Sequence, residues 1–192
     1  MKHWSLLGAA AVMVAASGSA SAASYTIDPT HTYPHFAISH LGFSNMHGRF
    51  NKTMGKLEVD LEKKTGAVDI TIDAASVDTG FAKRDDHLRT PDFFNVAEFP
   101  EIKYKSTKVT ITGDNTATVE GNLTIMGVTK PVNLAVDQIK CGEHPMPQMK
   151  GKFVCGFNAT AALKRSDFGI KYGLPAIGDD VKLTFEVEAI KD

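Results

Sequence analysis

Phe81–Pro100 reads FAKRDDHLRTPDFFNVAEFP, and it breaks the pattern of everything around it. After residue 24 the chain alternates like β-strand almost throughout; this stretch does not. Phe81, Arg84, Asp85, Leu88 and Arg89 recur at helical spacing. Asp92 follows Pro91 directly, where an N-cap carboxylate would accept bonds from the free N–H groups of a first turn. The spacing predicts two short helical turns, 81–89 and 92–97, joined at Thr90–Pro91. Neither is long enough to be stable alone in water, so both must pack on something. Phe81, Leu88, Phe93, Phe94, Val96 and Phe99 are the side chains available for burial. An aromatic cluster of this density in a non-strand segment predicts a lid or plug on a β-barrel.

Outward from that segment the period is two. Leu57, Val59 and Leu61 alternate with Glu58, Asp60 and Glu62, and Val68, Ile70 and Ile72 with Asp69, Thr71 and Asp73. Lys63-Lys64-Thr65-Gly66 supplies the turn between them. Phe36, Ile38 and His40 share one face of a strand ended by Gly42. The strand from Ile102 to Thr112 slips phase near Ser106, which predicts a bulge. Phe153, Cys155, Phe157, Ala159, Ala161 and Leu163 form a long alternating run. Val181, Leu183, Phe185, Val187 and Ala189 form the last. Eight strands, or nine if Phe43–Phe50 is counted, joined by hairpin turns imply an all-β fold, a single antiparallel barrel or sandwich. An eight-stranded barrel has an interior just wide enough for side chains or one slim ligand. The small inward residues Ala159, Ala161 and Ala189, with the aromatic lid, favour a cavity; a filled sandwich core is the alternative.

Residues 1–22 read as a secretory leader: Lys2 and His3, an apolar run from Trp4 to Ala16, then an A-x-A site at Ala20-Ser21-Ala22. Export to the periplasm with a mature chain of one domain, residues 23–192, is the expectation. The apolar run is too short to span a bilayer. The 21 basic and 22 acidic side chains leave a net charge of −1, one unit more negative once Lys2 leaves with the leader. With no basic stripe, nucleic acid is excluded as a partner. No later segment is apolar enough for a transmembrane span, which leaves only transient contact with a membrane open. Nothing in the pattern fixes an oligomeric state.

Two cysteines, Cys141 and Cys155, in an exported chain predict a disulfide. The face count is awkward: Cys141 falls opposite Leu134 and Val136 unless a bulge intervenes. A metal site built from His144 and both thiolates is the sharper alternative, but it lacks a fourth ligand. Of the histidines, His31, His35, His40, His47, His87 and His144 remain after the leader, and none form a metal-binding helix pair. No nucleophile elbow, phosphate loop or dinucleotide fingerprint occurs. Arg165, Ser166 and Asp167 are adjacent and cannot converge on one reacting atom, so no catalytic residue, metal or cofactor is expected. An enzyme acting on a lipid, or a hydrolase, remains the rival reading. Arg84, Arg89, Asp85, Asp92, Arg165 and Asp167 read as paired charges, with Arg165 expected to tie the lid to the 153–164 strand through Asp85 or Asp92. A guanidinium at the mouth would also suit an anionic headgroup.

Taken together, certain stretches resemble a known family. These are F-x-I-x-H-L-G at Phe36–Gly42, G-R-F at Gly48–Phe50, S-V-D-T at Ser76–Thr79 and R-D-x-H-L-R-x-x-D-F-F at Arg84–Phe94. F-P at Phe99–Pro100, G-x-L-T-x-x-G-V-T-K-P-V at Gly121–Val132 and R-S-D-F-G at Arg165–Gly169 complete the set. In this order, over nearly the whole mature chain, they resemble the YceI-like family of lipocalin-like periplasmic polyisoprenoid-binding proteins. The resemblance does not extend to the cysteine pair or to His144–Met146. It implies a barrel with an elongated apolar cavity under the helical segment, and a long isoprenoid lipid, a quinone or a polyprenyl phosphate, as ligand. The tail would lie against Phe36, Ile38, Phe157 and Phe185, with Phe81, Leu88, Phe93 and Phe94 covering it. Apolar area at about 25 cal/mol per Å² can carry such binding without hydrogen bonds.

Overall fold

The computed structural model describes residues 22–192; the expected leader, up to Ser21, lies outside the described residues. The strands are β1 (Ala23–Ile27), β2 (Tyr33–His40), β3 (Ser44–Phe50), β4 (Thr53–Asp60), β5 (Thr65–Asp73) and β6 (Val77–Asp78), then the helix α1 (Ala82–Leu88). The chain continues through β7 (Glu101–Ile111), β8 (Ala117–Ile125), β9 (Val128–Pro131), β10 (Leu134–Glu143), β11 (Phe153–Lys164) and β12 (Ile177–Lys191). Eight of them, in the order β1-β4-β5-β7-β8-β10-β11-β12, close into an antiparallel barrel because β12 pairs back onto β1.

The strand count exceeds eight or nine for a physical reason. β12 has 15 residues, about 50 Å of strand, and one edge of it serves two partners. Its C-terminal end pairs with β1 through Thr26↔Ile190, and the rest pairs with β2 through Leu183↔Phe36. Pro29 lacks the N–H needed to carry one continuous strand past this point. Instead Asp28 accepts from the Thr30 backbone N–H at 2.8 Å and turns the chain. β3 then pairs with β2, and β6 meets β3 only through Arg49↔Asp78 and Phe50↔Val77.

The bulge expected near Ser106 lies between Ser106 and Lys108. A second, between Val136 and Gln138, resolves the awkward face of Cys141. The extra residue turns the following positions over, so Cys141 stands directly opposite Cys155 and the two form a disulfide. Cys155 is fully buried with Tyr25, Ile27, Leu57 and Ala189 in a small cluster at the end of the barrel away from α1. Ala189 therefore belongs to a filled plug, whereas Ala159 faces the open interior.

The predicted second helical turn, 92–97, does not form. Asn95 takes a left-handed conformation, with φ of 44°, which ends any helix there. The chain folds back on α1 instead: the N–H of Phe94 reaches Leu88 O at 3.0 Å and that of Val96 reaches Arg89 O at 3.0 Å. These are carbonyls that the end of α1 leaves unpaired. Asp92 is consequently no N-cap; its carboxylate meets His87 Nε2 at 2.8 Å.

Candidate functional site

The inward positions of the barrel do not meet at its centre. They enclose a cavity of about 540 Å³, within the roughly 300–1,000 Å³ of small-molecule sites. A filled core is therefore not what this barrel has. The lining runs from Thr65, Gly66 and Ala67 at the β4–β5 turn to Phe81, Lys83, His87 and Tyr172 at the lid. Phe36, Ile38, Phe81, Leu88, Phe93, Phe94, Phe157 and Phe185, the eight side chains read from the sequence as wall and lid, all line it. Phe93 and Phe94 do so together, although neighbours on the expected helix would have diverged. In the observed turn Phe94 meets the buried Phe50 edge-on at 5.4 Å, while Phe93 packs on His87 at 5.1 Å and Tyr172 at 5.3 Å.

Polar residues line the lid end, among them His40, Lys83, Arg84 and His87, and Glu58 and Thr65 stand at the other end; His47 is exposed and pairs across the strands with Ala37, on the outer face. Deeper in, Tyr104 donates to Val132 O at 3.0 Å, and burial pushes its phenol up to about 12. It stays neutral at physiological pH. Thr53 is buried with a hydroxyl that has no hydrogen-bond partner among the described residues.

The charged rim is wired differently from the sequence expectation. Arg165 does not pair with Asp85 or Asp92. It follows β11 on a short 3₁₀ turn, Arg165–Phe168, and is only 4% exposed. Its guanidinium donates to the carbonyls of Gly178 at 2.8 Å, Ile170 at 3.2 Å and Ile177 at 3.0 Å. A planar fork of donors suits several carbonyls of one loop better than a single carboxylate across the barrel. Burial lowers the pKa of the group, and the nearby Asp179 charge opposes that. Asp167 is exposed, and the carboxylate that serves this turn is Asp179, which accepts from Ser166 N at 2.9 Å and Ser166 Oγ at 2.8 Å. Ser166 is therefore engaged with Asp179 and not with Asp167.

The lid is pinned to the strand that precedes it. Asp85 is buried and accepts from both the N–H and the hydroxyl of Thr79. Arg84 donates to Thr79 Oγ1 at 2.7 Å and Thr79 O at 2.8 Å. Arg89 reaches Ala75 O at 2.8 Å and Val77 O at 3.0 Å. Asp85 and His87 thus serve different partners, and Asp85, Asp92 and Asp167 do not line the cavity. The cysteines are consumed in the disulfide, and His144 Nδ1 accepts from Met146 N at 3.2 Å, which removes the metal site imagined for them. Among the described residues no group of three or more His, Cys, Asp or Glu is placed to hold a metal ion.

Two outcomes follow from this geometry. A Cβ on Gly48 would sit 2.3 Å from the Phe36 ring and 2.8 Å from Thr79 Cγ2. Gly48→Ala should push Phe36 into the cavity, costing about 1–3 kcal/mol of stability by overpacking and lowering uptake of a bulky apolar ligand; thermal unfolding and a binding titration check both. Asp179 is held below the ordinary 3.8, first by the Ser166 backbone N–H and then by its hydroxyl. A carboxyl with a lowered folded value contributes stability that is complete above its unfolded value and lost as pH falls through the folded one. Asp179→Asn should therefore flatten the acid limb of a melting-temperature profile below about pH 4 and leave its slope near neutrality unchanged.

Comparison with known proteins agrees with the geometry. Residues 25–189 match the model of the YceI-like domain. A UPF0312 protein of Pseudomonas aeruginosa is 43% identical over 178 residues, spanning 91% of this chain and 90% of that protein. The crystal structure of Burkholderia cenocepacia BcnA superposes with a TM-score of 0.74 at 24% identity, covering 85% of this chain and 99% of that one. A polyisoprenoid-binding domain from Saccharophagus degradans, implicated in plant cell wall breakdown, gives 0.63 at 17% identity over 88% and 99%.

Proposed function

We propose that this chain, which belongs to the family of YceI-like domains, is an exported lipid-binding protein that holds one long isoprenoid lipid in its barrel. The observation that carries this reading is the cavity itself: about 540 Å³, walled by aromatic and aliphatic side chains and roofed by Leu88, Phe93 and Phe94. The Saccharophagus domain of like fold, described as polyisoprenoid-binding, supports the choice of ligand class. An isoprenoid tail offers apolar area and almost nothing else. Burying on the order of 500 Å² of it yields roughly 12 kcal/mol, comparable to the roughly 4–15 kcal/mol cost of association. A long tail is therefore required, and a short one would not stay bound. The headgroup, a quinone ring or a phosphate, lies at the lid end, where Lys83, Arg84 and His87 gather. Carriage, with no cofactor, is the role, and release into the periplasm follows cleavage after Ala22.

Solvent extraction of protein purified from a membrane-containing host, followed by mass spectrometry, tests this. The expected extract holds an isoprenoid lipid in near-stoichiometric amount. An extract without lipid, and no uptake of a labelled isoprenoid quinone by the stripped protein, would leave the reading without support.

A further inference from the structure

Large apolar side chains left in solvent gather at the lid end. Phe43, 89% exposed, and Leu41, 52%, form the tip of the β2–β3 hairpin; Tyr172, 48%, and Leu174, 36%, stand on the loop before β12; Phe81, 55%, opens α1. These elements are tied to one another. The Leu41 N–H donates to Ala176 O at 2.7 Å, joining hairpin tip to loop. The Tyr172 ring meets His87 of α1 edge-on at 5.0 Å, joining loop to lid. Leu41 and Gly42 adopt φ of 55° and 73°, a tight turn that Phe43 closes by donating to His40 O at 3.1 Å. Phe43 is thus presented on a fixed corner. Phe81 and Tyr172 line the cavity as well as facing solvent, so the apolar rim runs into the cavity wall.

Two lysines stand beside this apolar rim, Lys83 on α1 and Lys171 next to Tyr172. Neither makes an ion pair among the described residues. The carboxylates that flank Lys83 in sequence are engaged elsewhere, Asp86 by Arg89 and Asp92 by His87.

We infer that the lid end is a membrane-docking face. Phe43, Leu41 and Leu174 enter the boundary between headgroups and acyl chains of a bilayer, while Lys83 and Lys171 lie against anionic headgroups. Amphipathic protein surfaces bind membranes through this combination of buried apolar tips and cationic neighbours. A protein partner fits less well. The five side chains together expose on the order of 500 Å², below the roughly 800 Å² per partner of a standard interface, and they stand on three separate corners. The inference rests on the lipid-carrier reading for its purpose: docking would bring the cavity rim against the source of an insoluble ligand.

Flotation of the full mature chain with vesicles tests it, using phosphatidylcholine alone and phosphatidylcholine mixed with phosphatidylglycerol. The expected result is flotation with both, and more of it with the mixed vesicles. Phe43→Ser should weaken it about tenfold on both vesicle types, and Lys171→Glu only on the mixed ones. Leu61→Ser removes another exposed apolar side chain, 57% exposed, on the β4–β5 turn at the opposite end and should change nothing. Neither Phe43 nor Lys171 lines the cavity, so both variants should take up a detergent-presented isoprenoid as wild type does. Wild-type uptake from detergent without any flotation would overturn the docking face and leave the carrier reading standing. Flotation without uptake would do the reverse. Equal flotation of Phe43→Ser and Leu61→Ser, or a concentration-dependent dimer lost only in Phe43→Ser, would also overturn it.

Discussion

Arg165→Met should lower the unfolding free energy by about 3–5 kcal/mol, a large part of the roughly 5–15 kcal/mol that holds a domain together. Methionine keeps most of the volume and the apolar stem, so packing changes little. What is lost is the guanidinium fork, just 4% exposed, that donates to the carbonyls of Ile170, Ile177 and Gly178. A buried acceptor left without a donor costs about 1–3 kcal/mol, and partial relaxation of the 169–178 loop recovers some of it. Arg165→Lys should fall between, because an ammonium cannot reach three carbonyls in one plane. Chemical denaturation of the three proteins checks the order. Combining Arg165→Met with Asp85→Asn discriminates further. The two sites share no partner, so their effects should add; strong coupling between them would restore the lid-to-strand ion pair that the geometry rejects. An unchanged midpoint for Arg165→Met would contradict the account.

Ile38→Asp should abolish lipid retention, lowering affinity at least a hundredfold, while the empty protein melts close to wild type. Ile38 lines the cavity but is not among the residues packed into either apolar cluster. In the empty barrel its replacement faces open cavity. Against a bound tail the same carboxylate is pressed on hydrocarbon and loses its water. Burying a charge against hydrocarbon costs more than the roughly 2.8 kcal/mol that a hundredfold loss represents. Phe94→Asp is the contrasting case. Phe94 packs on Phe50, which is itself 7% exposed, so that substitution should damage fold and binding together. Retention of lipid by Ile38→Asp at wild-type level would move the ligand out of this part of the barrel.

Period-two alternation is a strong signal when one face of a strand is wet, and the pattern in Leu57–Ile72 and Phe153–Ala189 was enough to imply an antiparallel barrel. The wall residues were legible for the same reason, since inward positions of a barrel strand are its alternate positions. Backbone carbonyls, in contrast, carry no sequence signature. Arg165 was read as a partner for carboxylates because carboxylates are what a sequence displays, yet its partners are three main-chain oxygens. Thr79 lay inside the quoted S-V-D-T stretch, but nothing local shows that both Asp85 and Arg84 fold back onto it. The 92–97 segment looked helical because Pro-Asp followed by apolar residues is a helix-start pattern. That pattern lost to the unpaired carbonyls at the end of α1 and to the left-handed Asn95. Splitting of the β12 edge between β1 and β2 depends on strand length in space, which alternation does not report.

β12 gives the molecule two unequal halves. Around its C-terminal end the wall is continuous through β1 and β4, and the Cys141–Cys155 bridge lies close by. Around its N-terminal part, β2 and β3 hang from β12 alone, and β3 is met on its far side by only the two-residue β6. Opening the first half means breaking a closed ring of paired strands, two of which, β10 and β11, the disulfide joins. Opening the second means peeling a hairpin from one neighbour and lifting a seven-residue helix. Proteins open in cooperative parts with separate free energies, and this architecture assigns the smaller one to the half beneath the lid. Amide hydrogens of β2 and β3 should accordingly exchange through local fluctuations while those of β10 and β11 wait for global unfolding, and a guest could pass the seam without the barrel ever coming apart.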